Sequence, residues 1–115
     1  MRVQFPGLLA AVVSSLLLSG CFNMPTPTSE ITASPSSRLD YGEYTCPRLS
    51  DELGSLVRRE MQLAEAQGQR IKSSNVLALL IGFGQGDGSE AEELAKVRGE
   101  KEAVLKAMYA KQCGT

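Results

Sequence analysis

Three cysteines, at positions 21, 46 and 113, are the residues of this chain with the greatest chemical potential, so their surroundings decide what they can do. A thiol becomes a nucleophile or a metal ligand only beside a base or further ligands. The chain contains no His, which removes Cys-His and Ser-His-Asp arrangements and the commonest metal ligand, and it has no Cys-x-x-Cys spacing. Glu90, Glu92 and Glu93 are grouped, but they sit where a helix is predicted to begin, and carboxylates there complement the helix dipole. Gly82, Gly84, Gly86 and Gly88 alternate; they do not form G-x-G-x-x-G, no strand signal precedes them, and no Gly-Lys-Ser/Thr comes after. Asp87 stands among them without a second carboxylate before Glu90, whereas calcium takes about six or more oxygen ligands. These glycines read as a turn that resets the chain direction. The residue inventory therefore nominates no catalytic residue, no metal site and no cofactor. With 12 Lys and Arg against 13 Asp and Glu, the net charge of −1 carries no electrostatic footprint for nucleic acid.

The elements that position these residues have to fit a short chain. At 115 residues there is room for one small domain, and 12 of the apolar residues lie within the first 20 positions, outside any core. Met1–Gly7 carries one positive charge, Arg2, and precedes LLAAVVSSLLL over 8–18, a run of secretory length and too short to span a bilayer. It leads directly into Leu18-Ser19-Gly20-Cys21. This segment resembles the signal peptide and lipobox of bacterial lipoproteins: an aliphatic residue, two small residues, and the cysteine that receives lipid. The resemblance implies cleavage before Cys21, a lipidated Cys21 as the mature N-terminus, and a protein anchored to the membrane without crossing it, since two or three acyl chains hold stably where one is marginal. Phe22 occupies the position where, in the enteric sorting pattern, Asp would retain the protein at the inner membrane. The expected location is thus the outer membrane, facing the periplasm.

Residues 21–43 form the expected second segment: a lipidated N-terminus and a disordered tether, with Pro25, Pro27 and Pro35 among Ser and Thr, too poor in apolar area to order itself. A flexible chain of this length spans about 24 Å. Residues 44–115 are the expected small helical domain. Pro47 suits a first helical turn, and Leu49, Leu53, Leu56 and Leu63, with Val57, Met61 and Ala64, recur at helical spacing up to Gly68, which offers a stop near residue 70. Ser89-Glu90-Ala91-Glu92 has the form of a capping box for a second helix running through Leu94, Val97, Val104, Leu105 and Met108, with Gly114 at the expected C-terminal stop.

If the lipobox consumes Cys21, as the resemblance implies, Cys46 and Cys113 remain as the natural disulfide pair of an exported protein. A redox-active pair and an intermolecular bond are the competing uses. Intramolecular pairing defines an all-α fold: an antiparallel helical hairpin in which facing residue numbers sum to about 159, built from two helices of about 24 residues and about 36 Å each.

Between these helices lies 71–88, long for a helix connection. It holds Val76, Leu77, Leu79, Leu80, Ile81 and Phe83, the most apolar stretch after the signal segment. Ser73, Ser74 and Asn75 could cap a short third helix here. The simplest expectation is that this helix folds back over the open face of the two-helix core. The alternative is an exposed tip that docks into a partner or dips into a lipid leaflet.

Cys46-Pro47-Arg48-Leu49, the run from Glu93 to Ala103 and Lys111-Gln112-Cys113 are similar to the C-terminal halves of small proteobacterial lipoproteins of unassigned activity. The resemblance and the residue inventory together lead to an expected non-enzymatic envelope lipoprotein, bound to the membrane through Cys21 and acting on an envelope protein partner, a pilotin-like escort role being one form of this. The alternative is a membrane-active lipoprotein of the exclusion or lysis type, whose tip over Val76–Phe83 engages lipid.

Overall fold

A computed structural model describes residues 23–35 and 40–114. The segment read as a signal peptide (1–20) and Cys21, read as the lipidation site, lie outside the described residues.

Helix α1 runs over Cys46–Ile81, 36 residues and about 54 Å. Thr45 starts it, its hydroxyl accepting the Arg48 N–H at 3.4 Å, and Pro47 sits in the first turn, where its missing N–H costs nothing. Gly68 does not end the helix. One interior glycine costs about 1 kcal/mol, too little to stop a helix that continues to bury side chains, and Gln67 and Ser74 on either side of it are both fully buried. The true stop is Gly82, which takes the left-handed conformation at φ 81° while its N–H closes on the Ala78 carbonyl. The residues expected to form a third helix are therefore the last turns of α1.

Helix α2 covers Ser89–Ala110, 22 residues. The capping box is not realised: Gly88 is the cap residue and gives no side-chain hydrogen bond, Ser89 is already helical, and Glu92 pairs with Lys96 at 3.2 Å. At the other end the Gln112 N–H donates to the Tyr109 carbonyl and the Cys113 N–H to that of Met108, with Gln112 at φ 56°. This is a Schellman ending. Gln112, not Gly114, occupies its left-handed position, and the turn carries Cys113 back to the first turn of α1.

There Cys46 and Cys113 are bonded, with Cα atoms 5.5 Å apart. The helices pack antiparallel in the register this bond requires, since Glu60 meets both Arg98 and Lys101 and Arg70 meets Glu90. Leu49, Leu56 and Leu63 form a buried row on α1 against Leu94, Val97 and Val104 of α2. Val57 and Met61 are exposed, so the apolar stripe is narrower than the spacing suggests. Toward the far end the buried row turns polar, with Gln67 and Ser74 in place of leucine.

Residues 23–35, expected within a disordered tether, instead lie as a strap along the hairpin. Thr28–Glu30 and Tyr41–Glu43 form single 3₁₀ turns, and Ile31 and Tyr41 are buried in the same core as the leucines. Two helices alone leave one face of the core open, and these two side chains help to cover it. The backbone is held as well: the Ser34 N–H donates to the Ala95 carbonyl at 2.8 Å. Gly99 makes this approach possible, because a Cβ there would stand 2.0 Å from the Ser34 carbonyl oxygen.

Candidate functional site at the apolar end

The end of the hairpin opposite the disulfide is built from three pieces: the last turns of α1, the return loop from Gly82 to Gly88, and the start of the strap. Helix α1 continues about 16 Å past Arg70, the level at which α2 begins. On that extension Val76, Leu79, Leu80 and Ile81 are 57, 88, 75 and 64 % exposed, and Phe83 in the loop is 55 % exposed. Leu77 is half-buried. The tip thus does not fold back over the core. No charged residue occurs from Val76 to Gly86.

The loop then runs back beside α1. The Gln85 N–H donates to the Ser74 hydroxyl at 2.9 Å, which explains a buried serine in the middle of a helix. Here the strap begins. Asn23 donates from its side-chain amide to the Gly84 carbonyl at 3.4 Å, and a Cβ on Gly84 would fall 2.7 Å from the Met24 sulfur and 2.9 Å from the Asn23 carbonyl oxygen. Thr26 donates its N–H and its hydroxyl to the two Asp87 oxygens at 2.7 and 2.5 Å. Gln67 completes the joint, donating to both the Thr26 carbonyl and Asp87 at 2.9 Å. The Thr26 hydroxyl first, then the Thr26 N–H and the Gln67 amide, hold the Asp87 carboxyl below the usual carboxylate range despite some desolvation.

Two more polar joints lie along the hairpin. Arg70 and Glu90 pair at 3.0 Å, and Glu90 is kept acidic first by its own backbone N–H and then by Arg70. Midway, Arg98 donates to Glu60 at 3.0 Å, to the Thr28 carbonyl at 2.8 Å and to the Ile31 carbonyl. Lys101 also reaches Glu60, and its hydrogen bond is the foremost cause, ahead of those from Arg98, that lowers the Glu60 carboxyl against the effect of burial. One guanidinium thus ties strap, α1 and α2 together.

Of the residues singled out in the sequence, Cys46 and Cys113 are joined, the six tip residues share one end, and Cys21 lies outside the described residues. Motif and spacing do not single out Thr26, Gln67, Asp87 or Arg98 as partners. Their signals are weak but present: an isolated Ile31 in a Ser/Thr/Pro stretch, a glycine inside a helix at 99, and an aspartate closing a glycine run. Among the described residues no group of three or more Cys, Asp or Glu is placed to hold a metal, and no helix is long and apolar enough to cross a membrane. No protein-family model, curated protein or solved structure matches this chain.

Proposed function

We propose that this protein is a non-enzymatic envelope lipoprotein, attached through lipid on Cys21 to the periplasmic face of the outer membrane, that acts by presenting its clamped hairpin to an envelope protein partner. The observation that supports contact as its mode of action is the kind of surface left over once the fold is made. The polar joints at Asp87, Glu90 and Glu60 are engaged in fastening strap to hairpin and helix to helix, whereas the conspicuous unburied surface is apolar. A pilotin-like escort is one form of this role, with a partner helix lying against exposed apolar positions away from the tip, such as Tyr109.

The anchoring half of the proposal is tested by expressing the full chain in a diderm bacterium with an alkyne-labelled fatty acid. Label on the mature protein, membrane fractionation, and loss of both in a Cys21→Ser variant are the expected results. An unlabelled, soluble wild-type protein would refute it.

A second reading, in which the apolar end engages lipid, has one specific observation in its favour. Asn23, two positions after Cys21, is held beside Gly84 at the same end of the hairpin as Val76–Phe83.

A further inference from the structure

We propose that the apolar end is seated in the periplasmic leaflet of the outer membrane beside the acylated cysteine, so that the hairpin stands on the membrane tip-down with its disulfide farthest from the lipid. This rests on the proposed lipidation of Cys21 and fixes what that lipidation does to the domain.

The argument begins with reach. Asn23 is two positions beyond Cys21, and an extended chain covers at most about 7 Å in that distance. Asn23 itself is fixed. Its amide is held by Gly84, its side chain fills the space over Gly86, Met24 covers Gly84, and Thr26 is bound at the Asp87 joint. The acyl chains are therefore delivered beside the loop that carries Phe83 and closes α1, and not at the end of a leash. Ser74, the α1 residue level with Gly84, is about 10 Å below Ile81, and the two chain steps from Asn23 to Cys21, at most about 7 Å, cover part of that distance.

The surface delivered there suits lipid. Five large apolar side chains, Val76, Leu79, Leu80, Ile81 and Phe83, are each more than half exposed. Val76, Leu79 and Leu80 share one face, and Ile81 widens the apolar arc to about 200° of the helix circumference, broader than the stripe of about 100° by which a helix packs on one neighbour. The segment from Val76 to Gly86 is free of charge, and Lys72, exposed one turn earlier, is placed for its ammonium to meet lipid phosphates. At about 12 Å, the run 76–83 enters the headgroup and upper acyl region and stops well short of crossing the core of about 30 Å. At the opposite end stand Glu43, Arg48 and Lys111, all exposed and charged.

Seated in this way, the protein points the Cys46–Cys113 bond about 50 Å from the lipid. Tyr109, 88 % exposed, then lies in the region far from the membrane where a protein partner would arrive.

The chain has no Trp, so single substitutions Leu80→Trp and Tyr109→Trp each supply a unique reporter. Each full-length variant is purified as processed by the cell, reconstituted into phosphatidylethanolamine/phosphatidylglycerol vesicles, and quenched with lipids brominated along their acyl chains. Leu79→Trp serves as a second tip reporter, and circular dichroism confirms the fold of each. The expected result is a blue-shifted indole at position 80, quenched at least threefold more by brominated lipid than that at 109, which responds instead to aqueous acrylamide. A tip indole left to acrylamide in acylated, vesicle-bound protein overturns the proposal and returns the tip to a protein partner. Equal quenching at 80 and 109 overturns the upright orientation. Absence of an acyl mass on Cys21 with no vesicle binding is a different result, which refutes the lipoprotein reading itself.

Discussion

At the scale of single residues, two glycines inside helices have opposite meanings. Gly68 faces open space, with nothing within 4 Å of a Cβ built on it, while Gly99 carries the strap backbone at a distance no side chain permits. Gly68→Ala is therefore expected to stabilise the protein by about 1 kcal/mol through helix propensity. Gly99→Ala gains the same propensity but forces the Ser34 carbonyl away, with a net loss of about 1–3 kcal/mol. Urea denaturation of the two variants checks both signs, and faster proteolysis within 23–35 in the second alone checks the cause. The same pair shows where single-residue reading stops. Both glycines are equally visible in the sequence, yet Gly68 has the look of a helix stop and Gly99 carries only the weak mark of a glycine inside a helix. What separates them is a backbone segment more than 60 positions away, and its approach is made with main-chain atoms that any sequence supplies.

At the scale of elements, the helices are legible in the sequence and the strap is not. Leu49, Leu56 and Leu63 repeat strongly enough to announce α1, and the pairing of Cys46 with Cys113 sets the register that Glu60–Arg98 and Arg70–Glu90 obey. The strap carries only Ile31 and Tyr41 as buried apolar side chains, diluted among Ser, Thr and Pro, so its average composition reads as a tether. Its polar attachment at Asp87, together with the ion pairs of Glu60 and Glu90 along the hairpin, makes the fold sensitive to pH. Asp87, Glu60 and Glu90 are each more acidic in the folded protein than in an unfolded chain, so the folded state binds fewer protons in the acid range. Their contribution is complete above the unfolded values near pH 4 and is lost as pH falls through the lower folded values. The melting temperature is thus expected to be level from pH 7 to about pH 5 and to fall below about pH 4. Asp87→Asn should melt lower at pH 7 with a shallower acid slope, because an amide NH₂ would face the Thr26 donors that the carboxylate now accepts. A parallel titration of wild type and variant by circular dichroism measures both effects.

At the scale of the whole molecule, the hairpin is closed covalently at one end and finished in apolar surface at the other, and its stability should be graded between them. The disulfide joins residues 67 apart, which on the chain-entropy account contributes about 4 kcal/mol. For a domain of this size, reduction is expected to lower the melting temperature on the order of 20 °C. Away from the bond, the buried row passes from Leu49, Leu56 and Leu63 to Gln67 and Ser74, and beyond Ser74 the helix buries almost nothing. Amides in 76–81 should therefore exchange fastest within α1 and those in 49–63 slowest, a gradient that hydrogen-exchange mass spectrometry reads directly. Uniform protection along α1 would contradict it. The least stable turns are the ones that expose Val76, Leu79, Leu80 and Ile81. A surface that covers those side chains also supplies the burial that α1 lacks there, so docking and helix order at this end are one equilibrium. Vesicle binding is accordingly expected to slow exchange at 76–81 while leaving 49–63 unchanged.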